Sequence, residues 1–254
     1  MAKILILGGT TEARLLAQRL AQRADLEVAL SLAGRTASPV PHAVPLRVGG
    51  FGGAGGIVDH LARERVDALI DATHPYATVI SQNAAAAARE AGVPFVVLRR
   101  PPWTPLAGDR WTEVEDTRAA VLAIGRQCRR VFVALGRNEL APFVEAPQHF
   151  YLIRSVDPVD PPLPLPRVTY ITARGPFSEE SDRNLMTAHR IEVVVSKNSG
   201  GNAAYGKIAA ARALGIGVIM LRRPPEPAGP AVATVEEAIA WLDHALTSAA
   251  ARGV

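Results

Sequence analysis

Three short stretches of this chain combine reactive side chains with the glycines that let a ligand come close. The first is Gly8-Gly9-Thr10-Thr11-Glu12-Ala13, which follows the apolar run KILIL and leads into a helical pattern. A dinucleotide loop of the G-x-G-x-x-G/A type has glycine at its middle position, so that backbone approaches the pyrophosphate closely. Here the first and last positions comply and Thr10 stands in the middle. Thr10 would hold a phosphate slightly further off, while its hydroxyl offers a replacement donor. The helix start supplies amide donors and partial positive charge in either case. The competing reading is a plain strand-to-helix turn with Thr10 or Thr11 as its N-cap.

The second stretch is DATHPYA, where Thr73, His74 and Tyr76 close an apolar strand. Pro75 restricts His74 to extended backbone, so the imidazole is aimed. Histidine is a natural proton donor near neutral pH, though a turn histidine is as readily structural. The third stretch is SKNSGGNAAYGK, with Lys197, Asn198, Ser199, Gly200 and Gly201 ahead of a helix. A cation, an amide, a hydroxyl and two glycines there make an anion or amide site. Arg137 in ALGRN and Arg174 in ARGPFS add cations at further strand ends. Single surface arginines are usually solvated, but several at strand ends of one cleft indicate a ligand with several carboxylates.

Two more stretches bear on the identity of a nucleotide. SLAGRTA places Arg35, and no carboxylate, where an NAD site carries its ribose-binding acid. Arg35, helped by Ser31 or Thr36, suits a 2′-phosphate and therefore NADP; the alternative is an exposed turn arginine. VGGFGGAGG, which contains Gly50, has glycine at six of nine positions. It reads either as a wall against a flat ligand or as a flexible surface loop.

These loops need a scaffold, and the apolar pattern supplies one. KILIL, EVALSL, DALID and PFVVL read as strands buried on both faces, with helical stretches over 10–23, 54–64 and 78–91 between them. The alternation resumes after RRPPWTPLAGDRW with RVFVAL, FYLIR, VTYITA, IEVVV and VIML. The fold class is therefore α/β with parallel sheets. The proline-rich DPVDPPLPLPR is a surface connection. AAAREAGVPFVVLRRPP (86–102) recurs as AAARALGIGVIMLRRPP (209–225), with ten of seventeen positions identical at an offset of 123. Thr73 then aligns with Ser196 and His74 with Lys197. Two related halves, 1–100 and 101–254, would leave a ligand cleft at the carboxyl ends of their strands.

Composition narrows the options. Apolar residues make up 48% of 254, enough for a sizeable core, yet no run approaches a membrane span and no signal segment opens the chain. The net charge of +4 is mild and aromatics are only 5%, which argues against nucleic acid. Cys128 is the sole cysteine, excluding an internal disulfide or a cysteine-built metal site and fitting a reducing cytoplasm.

Taken together, ILILGGTTEA, AGRT, GGFGG, DATHPYA, ARGPFS, KNSGG followed by KIAAAR, and RRP resemble the precorrin-6A reductase family of the cobalamin pathway over nearly the whole chain. The resemblance implies two Rossmann-like domains facing each other across a cofactor cleft, the first binding NADPH, the second contributing to cofactor and macrocycle binding. It implies NADPH-dependent reduction of a macrocycle double bond, giving precorrin-6B or its cobalt-containing counterpart; the motifs do not separate the two. Gly8, Gly9, Thr10, Thr11, Glu12, Ala33, Gly34, Arg35, Thr36, Gly50, Thr73, His74, Pro75 and Tyr76 would surround NADPH. Lys197, Asn198 and Ser199 would face it from the second half, and Arg137, Arg174, Lys197, Gly200 and Gly201 the polycarboxylated substrate. His74, Tyr76 and Lys197 are the proton-donor candidates. No metal is expected; neighbouring pathway enzymes are conceivable partners. The rivals are a non-catalytic NADPH sensor or scaffold, a methyltransferase, disfavoured by Arg35, and a periplasmic binding protein, disfavoured by the missing signal.

Overall fold

The computed structural model describes residues 1–33 and 42–252, with side chains described as far as 248. In chain order the elements are β1 (Ala2–Leu7), α1 (Thr11–Leu20), β2 (Leu26–Leu32), β3 (Leu46–Val48), α2 (Ala54–Glu64), β4 (Ala68–Asp71), α3 (Thr78–Ala91) and β5 (Phe95–Leu98). There follow β6 (Trp111–Val114), α4 (Thr117–Ile124), β7 (Arg130–Ala134), β8 (Phe150–Ser155), β9 (Val168–Thr172) and α5 (Glu179–Ala188). The last are β10 (Val193–Lys197), α6 (Gly206–Ala213), β11 (Gly217–Leu221), β12 (Ala231–Val232) and α7 (Val235–Arg252). No helix among the described residues is long and apolar enough to cross a membrane.

The strands form two parallel six-stranded sheets, ordered β12-β5-β4-β1-β2-β3 and β6-β11-β10-β7-β8-β9. The two orders are identical once β1 is matched to β7, β2 to β8, β3 to β9, β4 to β10, β5 to β11 and β12 to β6. The internal repeat falls on α3–β5 and α6–β11, the same place in each sheet.

The chain divides into two compact units, one of Met1–Pro101 with Pro224–Val254, the other of Pro102–Arg223. A single cut near residue 100 therefore does not describe the division, because residues 224–254 return to the first unit. The cause is visible in the contacts. β12 pairs with β5 (Ala231 with Val97, Val232 with Leu98), and α7 buries Val235, Ala238 and Leu242 with Leu16, Ala17 and Leu20 of α1. Each unit thus takes its sixth strand and the helix after it from beyond the fifth strand of the other.

Alternation explains why β1 is apolar throughout. Ile4 and Ile6 enter the layer under α1 and α7, while Leu5 and Leu7 enter the opposite layer with Ile57 and Leu61 of α2 and Ala84, Ala87 and Ala88 of α3. A central parallel strand covered on both faces has no solvent side to mark. α1 carries Ala13, Leu16, Ala17 and Leu20 on one buried face, with Glu12 in its first turn and Arg19 in its last, as the helix dipole favours.

In the second unit, Phe132, Leu152, Val194, Val218 and Met220 of the sheet pack with Met186 of α5 and Ile208 of α6. Charge is buried beside this layer. Arg154 of β8 pairs with Asp182 of α5, its guanidinium 3.7 Å from the Phe177 ring centroid. Lys207 of α6 is 3% exposed, donates to the Ala204 carbonyl at 2.7 Å and lies 5.0 Å from the Trp103 ring centroid. Burial, reinforced by Arg154, pushes its pKa down to about 7.

Two outcomes follow from this architecture. Leu242→Ala should cost about 2–5 kcal/mol, and hydrogen exchange should show the loss in β1 amides rather than β10 amides; the reverse pattern would contradict the assignment of α7. For Lys207, the folded pKa near 7 lies below the ordinary 10.5, so the burial cost is fully present below about pH 7. Between those values only the unfolded chain holds the proton, and stability gains as pH rises. The advantage of Lys207→Met over the parent in thermal unfolding should therefore shrink from pH 7 to pH 10. A constant difference would mean that the buried amine keeps its proton.

Candidate functional site

The turn from β1 to α1 is shaped by glycine at two points. A Cβ on Gly8 would lie 2.6 Å from Cδ1 of Leu30, and Gly9 has φ +125 with open space where a side chain would project. Thr10 is the N-cap, with extended backbone; its Oγ1 accepts from the Ala13 amide at 3.1 Å and donates to the Ala72 carbonyl at 2.8 Å. The N-cap reading of Thr10 therefore holds. Its hydroxyl proton is committed to the end of β4, so the replacement-donor role foreseen for it gives way to the backbone amides of the first turn. Thr11 opens the helix. The Glu12 carboxylate is engaged by the Arg100 guanidinium, which offsets its negative charge at the start of α1.

The loop after β4 is held from beneath. Asp71, fully buried, accepts from the Thr73 amide at 3.0 Å; the Thr73 and Ser81 hydroxyls lie 3.1 Å apart. Arg99 at the end of β5 donates to Ser81 Oγ at 3.2 Å and stands 3.5 Å from Asp71 Oδ2, both side chains buried. On this base, His74 Nδ1 accepts the Tyr76 amide at 3.3 Å and the His74 carbonyl accepts the Ala77 amide at 2.7 Å. With Nδ1 an acceptor, the neutral ring carries its proton on Nε2. The Tyr76 ring lies 5.6 Å from that of His74, and Pro75 between them is buried.

These loops open on one cavity of about 460 Å³ at the carboxyl ends of β1, β2 and β4. Gly8, Gly9, Ala33, Gly50, Thr73, His74 and Tyr76 line it, together with Ser31 and Leu32. Of the remaining residues expected here, Thr10, Thr11, Glu12 and Pro75 flank the cavity without lining it, and Gly34, Arg35 and Thr36 lie outside the described residues. Phe51, within the glycine stretch read as a wall, also lines it, as do Val79, Ile80 and Asn83, which the sequence reading did not single out. Val79 is 70% exposed on a helix whose other apolar positions are mostly alanine, and that contrast was the available signal. Side chains added at Gly49, Gly50, Gly52 and Gly53 would meet nothing within 4 Å; glycine there keeps this wall clear for a ligand.

In the second unit the KNSGG loop follows β10. The Lys197 ammonium is paired with the Glu139 carboxylate, which also accepts the Gly136 amide at 3.0 Å. The Asn198 side chain is buried and joined both ways to the Trp103 backbone, accepting its amide at 2.7 Å and donating to its carbonyl at 2.9 Å. Arg223 Nε donates to the Asn198 carbonyl at 2.8 Å. Ser199 is buried, its amide donating to the Lys197 carbonyl, and Gly200 and Gly201 both have left-handed φ, 67 and 66. The Trp103 indole closes the loop by donating to the Gly201 carbonyl at 2.7 Å. Arg137 follows β7 and Arg174 follows β9, both exposed and at the same carboxyl edge of the sheet as Lys197.

The first unit fits a nicotinamide dinucleotide on its own geometry. It offers amide donors at a helix start, a glycine cradle without side chains, an apolar wall and a histidine able to present Nε2–H. The family described as precorrin-6x reductase CbiJ/CobK matches residues 3–243. A precorrin-6A reductase of Sinorhizobium sp is 54% identical over 97% of this chain and 95% of its own length. The solved structure of "CobK precorrin-6A reductase" superposes with TM-score 0.93 at 48% identity, covering 96% of this chain and 97% of that one. A cobalt-precorrin-6A reductase of Priestia megaterium is 28% identical over 96% of this chain and 98% of its own. With its fold and its sequence matched over nearly the whole chain, this chain belongs to the precorrin-6x reductase family.

Proposed function

We propose that this chain uses NADPH to reduce precorrin-6A to precorrin-6B in cobalamin biosynthesis, in the cytoplasm. The observation that carries the reading is the glycine-cradled cavity of about 460 Å³ with His74 on its wall, set at the carboxyl ends of β1, β2 and β4. The non-catalytic sensor reading is not favoured, since the family is one of reductases. The higher identity to a precorrin-6A reductase than to a cobalt-precorrin-6A reductase supports the cobalt-free substrate.

When bound, NADPH supplies the hydride for the macrocycle. The amides of the first turn of α1 hold the pyrophosphate, and Arg100 keeps Glu12 from opposing it. Arg35 takes the 2′-phosphate. A double bond that accepts a hydride at one carbon needs a proton at its neighbour, unless the conjugated system is electrophilic enough to take the proton from water. Among His74, Tyr76 and Lys197, His74 is the preferred donor, because its tautomer keeps a proton on Nε2 and the buried Asp71–Arg99 pair fixes its loop. Lys197 shares its charge with Glu139 and serves better to orient the KNSGG loop. Arg137 and Arg174 attract the substrate carboxylates, and the left-handed Gly200 and Gly201 let them approach backbone.

Purified protein should bleach the visible absorbance of precorrin-6A in an NADPH-dependent manner; no bleaching would sink the proposal. His74→Asn should lower kcat about 10²–10⁴-fold while leaving the Kd for NADPH within a few-fold, and a normal kcat would move the proton to water or Tyr76. Arg35→Ala should weaken NADPH about tenfold or more with little effect on NADH, as read by cofactor fluorescence titration.

A further inference from the structure

Arg47 is a cation held by residues of the cavity wall, and no carboxylate among the described residues is paired with it. It lies on β3 as the register partner of Ser31, next to the last residue of β2. Its Nη1 donates to Ser31 Oγ at 3.2 Å and to the Gly49 carbonyl at 2.6 Å, its Nη2 to the Gly50 carbonyl at 2.8 Å, and its Cζ stands 3.7 Å from the Phe51 ring centroid. All four of these partners line the cavity. Nε–H and one Nη2–H have no partner among the described residues, and these two nitrogens share one edge of the guanidinium. Such an edge matches two oxygens of a phosphate.

The surroundings keep the charge unbalanced. No carboxylate among the described residues pairs with Arg47. Of the charged side chains around it, Arg63 opposes its charge, Glu64 is engaged by Arg63 at 3.0 Å, and His60 has its pKa lowered by burial and by Arg47 itself. A half-buried cation that three neutral acceptors and an aromatic face hold in place is a fixed source of positive potential. In a parallel nucleotide-binding sheet, the end of the second strand is where the ribose 2′-substituent is recognised.

Resting on the proposed NADPH-binding role of this unit, we infer that Arg47 is a second specificity-determining cation for the cofactor's 2′-phosphate, while it fixes the Gly49–Phe51 wall. Arg47→Gln should weaken NADPH about ten- to hundredfold and leave NADH within about twofold in fluorescence titrations. Arg47→Lys, which keeps the charge and loses the fork, should retain a preference for NADPH. Equal weakening of both cofactors by Arg47→Gln, or an unchanged ratio, would overturn the inference and leave Arg47 a loop anchor. Arg35→Ala offers a check that does not depend on altering Arg47: a residual NADPH preference supports the inference, and complete loss of preference overturns it. If the parent protein binds neither cofactor, the cofactor reading fails instead, which is a distinct result.

Discussion

The arginine pair at the end of the fifth strand is what the two sets of loops depend on. In the first unit Arg99 turns inward to Asp71 and Ser81 under the His74 loop, and Arg100 reaches Glu12 at the turn after β1. In the second unit Arg223 holds the Asn198 carbonyl, while Arg222 pairs with Glu113 and Glu115 on and beside β6. The same dipeptide therefore fixes, in each unit, the loop that follows the neighbouring strand. The buried version is the more demanding. Asp71 Oδ2 and Arg99 Nε, both buried, have no hydrogen-bond partner among the described residues, so the pair rests on proximity of charge, and losing either partner would strand the other in a low-dielectric interior. The prolines that follow cannot continue a ladder or a helix, and the chain passes there from one unit to the other.

Much of the scaffold was legible because central parallel strands are apolar on both faces and α1, α4 and α5 start at the side-chain caps Thr10, Asp116 and Ser178. The exceptions are informative. β6 reads WTEV and β12 is two residues long; as edge strands they bury little and leave no apolar run. Missing them hid the exchange of sixth strands, and with it the return of residues 224–254 to the first unit. A repeat in sequence gives the relation between two halves but not which half each peripheral strand joins.

For the site, glycines, the histidine and the lysine loop stood out because their types are unusual at strand ends. Val79 and Ile80 did not, since an apolar residue lining a cavity has the same pattern as one filling a core. Arg47 did not stand out for another reason: it faces Ser31 across two strands, which spacing along the chain does not reveal. Pairings such as Lys197 with Glu139, or Asn198 with Trp103, likewise arise only when distant segments meet. Such pairings hold a loop in shape before anything binds.

The exchange of sixth strands also sets an order on synthesis. The first unit begins to emerge from the ribosome before the second, yet it cannot cover Leu16 and Leu20 until Val235, Ala238 and Leu242 have followed. The second unit, one continuous stretch from Pro102 to Arg223, has all its strands in hand sooner. The N-terminal unit is therefore begun first and closed last. Through most of translation its apolar layer waits for a helix still to be made, and such a delay, set by long-range pairing, is where a nascent chain is most open to chaperones and to misassembly.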